Sequence, residues 1–329
     1  MQFILRRLAF YLVAAWVAIT ANFFIPRAMP GSAVAAVLAK YPTLQPGAYK
    51  ALEATLGTGN QGSLWSQYVT YWGHVLTLNF GASLSNYPTP VMDIVHNAIY
   101  WTLGLVGVAT VIAFTLGTAM GILAGWRAGG RLDRSLPGMM FLQATPYFFL
   151  ALILVELLSL RLNWFPVANA YDAENYSPGW NWPYIANMLD HAFLPALTIV
   201  VTSVAGWMLQ MRNVMVTTVG EDYVVAAQAK GLSDRRVIFT YAARNAILPQ
   251  LQGFGLALGF VISGALVMEM VFSYPGLGNT LLAAASSKDT PLMQAIFLLI
   301  TMTVLAANLL ADLVLVFVDP RVRAREATR

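Results

Sequence analysis

Six long apolar stretches, near residues 8–26, 98–126, 136–160, 192–211, 250–272 and 291–318, limit what this chain can fold into. About 20 apolar residues in a helix cross the hydrocarbon core of a bilayer, so each stretch is long enough to span one. Inside lipid no water satisfies a backbone N–H or C=O, and a helix satisfies both within the segment. Only 10% of the 329 residues are charged and 58% are hydrophobic, against roughly 25% charged in an ordinary soluble domain. The expected fold class is therefore an all-α integral membrane protein: six transmembrane helices in one bundle, with an outer loop region after the first.

The basic residues orient that bundle. Fourteen of the nineteen Lys and Arg fall in segments that six spans place on one side: Arg6 and Arg7, the 127–134 turn, the 212–244 segment, and the tail after Asp319. Arg27, Lys40, Lys50, Arg161 and Lys288 fall on the other. The asymmetry predicts both termini in the cytoplasm. It also accounts for the net charge of +4 without nucleic acid, because the basic residues are spread over four segments with no compact aromatic and basic face. The predicted organisation is an N-terminus and first helix over 1–26, an extracytoplasmic region over 27–96, a five-helix core over 97–318 with a cytoplasmic loop at 213–249, and a cytoplasmic tail over 319–329. Arg6 and Arg7 before an apolar run could mimic a signal peptide. The run of about 18 residues from Leu8 to Ile25 favours a retained anchor.

Between the first two spans, Leu64, Tyr68, Tyr71, Val75 and Leu78 recur near helical spacing. They predict an amphipathic helix that either packs on the bundle and headgroups or meets a delivery protein. A second outer loop, 163–190, carries Trp164, Trp180, Trp182, Tyr171, Tyr176 and Tyr184, residues that suit an interface anchor as well as a gate. Gly117, Gly121 and Gly125 stand at four-residue steps and leave one helix face bare, which predicts close approach of another helix. Pro137, Pro146 and Pro195 are candidate kinks. Glu156, Glu269 and Asp312 are the acids set in apolar surroundings, where charge is costly. Glu156 and Glu269 are expected toward the outer helix ends, where hydration lowers that cost. Glu269, just before Phe272 to Gly278, is the acid weighed as lining a path through the bundle, with a helix-to-helix polar contact as the alternative.

The segment Glu221–Pro249 is polar and basic between two apolar stretches, so it offers something to a partner in water. Tyr223 to Lys230 holds good helix formers, with small side chains at Ala226, Ala227 and Ala229. Gly231 suits the left-handed residue that ends a helix. A second helix is expected from Ser233, a reasonable N-cap, to Ile247 before Pro249.

The pattern of Ala226, Ala227 and Gly231 resembles the EAA loop, the coupling helix of bacterial ABC-importer permeases. The longer string Asp222-Tyr223-Val224, Ala229 to Ser233, Arg244-Asn245 and Leu248-Pro249 resembles the dipeptide/oligopeptide/nickel branch. Leu194 to Thr198, Trp164 to Pro166, Phe272 to Gly278 and Asp319 to Arg323 extend the likeness over nearly the whole chain. Val225 stands where the general motif has Glu, and Ser32 where the branch usually carries Asp. The resemblance implies the type I importer fold and a bacterial or archaeal cell membrane location. It further implies a pore shared with a second homologous permease, two ATP-binding subunits and an extracytoplasmic solute-binding protein. ATP and Mg would be bound by those ATPase subunits and no cofactor by this chain. Ala226, Ala227, Lys230, Gly231, Asp234, Arg235 and Arg236 would form the ATPase-coupling site. Peptides are the implied solute, with oligosaccharides and nickel as alternatives within the same branch.

The residues also exclude chemistry. There is no phosphate-binding loop, so the chain is not expected to hydrolyse ATP. Cysteine is absent, His74, His96 and His191 lack metal-ligand spacing, and no Gly-x-Ser-x-Gly elbow occurs. A membrane enzyme would need acids, bases or ligands converging at one depth. An ion-driven transporter would show inverted repeats, and no convincing repeat is present.

Overall fold

The computed structural model describes residues 2–29, 62–264 and 266–318. The expectations placed on Pro30 to Ser32, on Lys40 and Lys50 and on the 319–329 tail fall outside those residues, as does the side chain of Asp312. Among the described residues the regular structure is helical, with one isolated antiparallel bridge between Ala82 and Pro90. Among the described residues, four helices are long and apolar enough to cross a membrane: Arg6–Ala28, Val91–Trp126, Trp182–Val219 and Thr290–Leu310. The pair Arg131–Ala144 and Tyr147–Arg161 makes a fifth if its two arms, bent by 91°, are one span. Pro146 sits at that bend, immediately before Tyr147, where a missing N–H and a fixed φ break the helix. The remaining expected stretch, 250–272, falls on the helices Ala243–Gly264 and Leu266–Val271.

The chain divides into two compact units, one of residues 1–101 and 275–309, the other of residues 102–274 and 310–329. In the first, the predicted amphipathic helix is present as Leu64–Thr77, capped by the Ser63 hydroxyl, which accepts from the Ser66 N–H. Its working face is narrower than the pattern implied. Tyr71 is buried and Tyr68 packs edge-on to Phe23, while Leu64 and Leu78 are exposed. Polar bonds fix this helix to the N-terminal one, Tyr68 with Thr20 at 2.8 Å and Asn22 Nδ2 donating to the Tyr71 hydroxyl at 3.0 Å; Asn22 Nδ2 also donates to the Gln294 carbonyl on the helix Thr290–Val318 at 2.9 Å. Asp289, fully buried, accepts from Ser83 Oγ, from Ser85 Oγ and from the Ser85 N–H. Its other oxygen accepts the Leu292 N–H and so caps the helix that follows.

The second unit is built on close packing. A Cβ added at Gly121 would lie 2.6 Å from the Met208 carbonyl oxygen and 2.6 Å from Met211 Cβ. One at Gly117 would meet Trp207 and Val204, and one at Gly125 would meet Met215 and Arg212. The three glycines thus let helices Val91–Trp126 and Trp182–Val219 touch backbone to backbone, as their spacing predicts. Pro195 and Pro137 lie inside their helices. Pro249 does too, so the helix expected to stop there runs on to Gly264. Its loss of one backbone bond is tolerated because Ala246 and Gln250 on either side are buried against neighbouring elements. At the ends nearest residue 131, Arg212 donates through Nε and Nη2 to the two oxygens of Asp133 at 2.9 and 3.1 Å, a two-pronged clamp.

Candidate functional site

The 221–249 segment folds as a short helix, Asp222–Ala229, a turn, and a longer helical run over 234–264. The Glu221 carbonyl starts the first helix by accepting from the N–H groups of Val224 and Val225. Gly231 ends it at φ +73°, with its N–H on the Gln228 carbonyl and the Leu232 N–H on Ala227, the bonds of a left-handed helix cap. A Cβ at Gly231 would meet nothing within 4 Å. Only the backbone angle calls for glycine there. Ser233 holds the N-cap position as expected, but its hydroxyl makes no cap bond. The Ser233 carbonyl begins the helix instead, accepting from Arg236 and Val237.

Two residues turn the short helix inward. Val224 and Ala227 are buried and pack with Val237, Ile238, Ala242 and the methionines Met211 and Met215. Ala227, 3% exposed, packs within the chain's own core. Its small side chain serves the approach of the helix to that core. Ala226, Lys230, Gly231, Asp234, Arg235 and Arg236 are all exposed. Ser233, Arg235, Arg236, Phe239 and Thr240 line an open depression of about 460 Å³. Phe239, 54% exposed, was missed by sequence reasoning. Its signal was an aromatic three and four residues beyond two arginines, on the same helical face.

The supporting residues were also unread. Met211 and Met215, at i and i+4, pack the short helix on one side, while Gly121 and Gly125 receive their Cβ atoms on the other. The short helix is thus braced directly by the glycine-packed pair.

Glu269 is not part of this cluster, since the 234–264 run alone is roughly 45 Å long at 1.5 Å per residue. It is 1% exposed, and Thr102 Oγ1 donates to its Oε1 at 2.6 Å. The hydration expected at a helix end does not reach it, because Thr102 on another helix covers that position. Glu156, by contrast, is exposed and paired with Arg161 at 2.9 Å. Among the described residues no group of three His, Cys, Asp or Glu could hold a metal ion.

Residues 117–324 match the family of binding-protein-dependent transport system inner membrane components. The chain is 32% identical to the dipeptide transport system permease protein DppB of Escherichia coli strain K12, over 99% of this chain and all of that one. It is 32% identical to the oligopeptide transport system permease protein AppB of Bacillus subtilis, over 78% and 79% of the two chains. The di/tripeptide permease DppB of Pseudomonas aeruginosa is 31% identical over 98% and 99%. The exposed helix and turn, the apolar helices and these matches lead to one conclusion: the chain belongs to the inner membrane components of binding-protein-dependent transport systems, and is a permease subunit rather than an enzyme.

Proposed function

We propose that this chain is one of the two pore-forming permeases of an ATP-driven peptide importer, with six membrane-spanning helices and both termini in the cytoplasm. A second homologous permease completes the pore. Two ATP-binding subunits, carrying ATP and Mg, grip one short helix from each permease, and an extracytoplasmic binding protein delivers the solute. The observation that carries this reading is the Asp222–Ala229 helix, which buries Val224 and Ala227 and leaves Ala226, Lys230 and Gly231 exposed. A helix packed this way transmits a push, because Met211 and Met215 connect it to the glycine-faced pair. ATP binding then biases a two-state bundle through a contact that differs between its states. Arg235 and Arg236, with Asp234 and the exposed Phe239, orient the ATPase on this surface. Peptides are favoured as solute by relatives named as dipeptide and oligopeptide permeases along nearly the full chain. The Thr102 bond supports Glu269 as a tie between helices bordering the path.

Gly231→Val tests the coupling. A β-branched residue resists φ +73°, at a cost of about 1–2 kcal/mol, and the turn relaxes by displacing the helix before it. The reconstituted complex should assemble in normal yield, with solute uptake and solute-stimulated ATP hydrolysis lowered about tenfold. Normal values of both would remove the coupling role from this segment.

A further inference from the structure

Within the larger unit lies a cavity of about 290 Å³ with walls from helices Val91–Trp126, Trp182–Val219, Ala243–Gly264 and Leu266–Val271, and with Tyr147 from the bent pair. Ile199, Val261 and Met268 give it apolar walls, and Trp207 adds an aromatic ring. Thr110, Tyr147, Thr202 and Ser203 add hydroxyl-bearing side chains. Among the described residues no charged one lines it.

That lining selects by chemistry. An ammonium, a carboxylate or a metal ion seated against these walls would give up part of its hydration and meet no counter-charge among the described residues, which disfavours it. Uncharged groups meet no such barrier. Thr110 donates its hydroxyl proton to the Val106 carbonyl at 2.7 Å, and Thr202 to Thr198 at 2.8 Å. Each hydroxyl therefore has only lone pairs left, which suit an incoming N–H. Among the described residues the Ser203 hydroxyl has no partner. The acyl chain of a lipid would leave those hydroxyls unused. Size narrows the occupant further: the cavity holds roughly ten waters at about 30 Å³ each, and whole small-molecule pockets start near this volume. It has room for one side chain and the amide beside it.

From this lining we infer that the cavity is a subsite for one uncharged, apolar or aromatic side chain of the transported peptide, with the hydroxyls receiving the adjacent amide N–H. The inference rests on the peptide reading above and adds selectivity within the permease itself.

Ala257 also lines the cavity, and Ala257→Leu fills part of it. In proteoliposomes holding the whole complex, the ratio of dileucine to dialanine uptake should fall at least fivefold in this variant. An unchanged ratio would overturn the subsite. If the wild-type complex imports neither dipeptide, the peptide reading fails, and the subsite with it; uptake of both with an unchanged ratio overturns the subsite alone. Photolabelling of the wild type does not depend on the variant folding. Alanyl-photoleucine, whose diazirine replaces part of the leucine side chain, should label Val261 or Met268. Labelling of these residues by a photoactivatable phospholipid and not by the dipeptide would overturn the proposal.

Discussion

The two units of this chain solve one problem by opposite means. Lipid supplies no hydrophobic force between helices, so their association must come from close packing or from polar bonds. The unit of residues 1–101 and 275–309 relies on polar bonds between residues distant in sequence: Asn22 to Gln294, and Ser83 and Ser85 to Asp289. The unit of residues 102–274 and 310–329 relies on three glycines that bring two backbones together. The first is expected to be most sensitive to removal of a polar atom, and the second to addition of an atom at the glycines.

The largest effect tests the packed unit. Gly121→Leu would drive a side chain into the Met208 carbonyl and Met211, contacts of 2.6 Å that cannot yield without moving backbone. Overpacking of this kind costs about 3 kcal/mol or more. Folded protein in detergent should fall sharply in yield and in Tm; a Tm near wild type would mean that the helices need not be so close.

The next effect tests the bonded unit. Asp289→Ala leaves the Ser83 and Ser85 hydroxyls and the Ser85 N–H without their acceptor. Buried donors left unmade cost about 1–3 kcal/mol, so Tm should drop clearly but by less than with Gly121→Leu. The triple change Ser83→Ala, Ser85→Ala, Asp289→Ala removes the two orphaned hydroxyls, leaving the Ser85 and Leu292 N–H groups, and should recover part of the loss. No recovery would show that the site depends on volume, as in the other unit.

The smallest effect checks that polar bonds matter only where they are buried. Asp172, in the exposed 162–181 loop, accepts from the Asn175 side chain and from two backbone N–H groups, which hold its carboxyl below the usual value. Whatever it adds to stability is present above the ordinary carboxylate range and fades as pH falls through the depressed value. In water such a bond is worth little. Asp172→Asn should change Tm by no more than about 1 °C at neutral pH, and any difference should disappear in acid. A larger shift would give this loop the weight of the Asp289 cluster.

The packed unit was more legible in the sequence than the bonded one, for a physical reason. Glycines at four-residue steps declare their purpose locally, since no other residue leaves a helix face bare. Gly231 is readable in the same way, as is the short helix before it, from neighbouring residues alone. Asp289 gave no such sign, because its partners lie about 200 positions away and any polar residue near a loop has many uses. Ala227 is less readable, because small residues serve a partner's groove and the chain's own core equally well; its packing with Val224 one turn earlier and with Met211 and Met215 shows only in the fold. Pro249 was read as a stop by a rule suited to water, and within apolar helices that rule weakens.

The glycine stripe also sets how this chain can change length. One residue inserted between Gly117 and Gly125 would turn everything after it by about 100° around the helix axis. Gly125 would leave the contact, and a larger neighbour would take its place against Met215 and Arg212. A single insertion in this stretch is therefore far more damaging than one in the exposed 162–181 loop, whose ends can absorb it. Over these nine residues the gene can vary in letters but not in count.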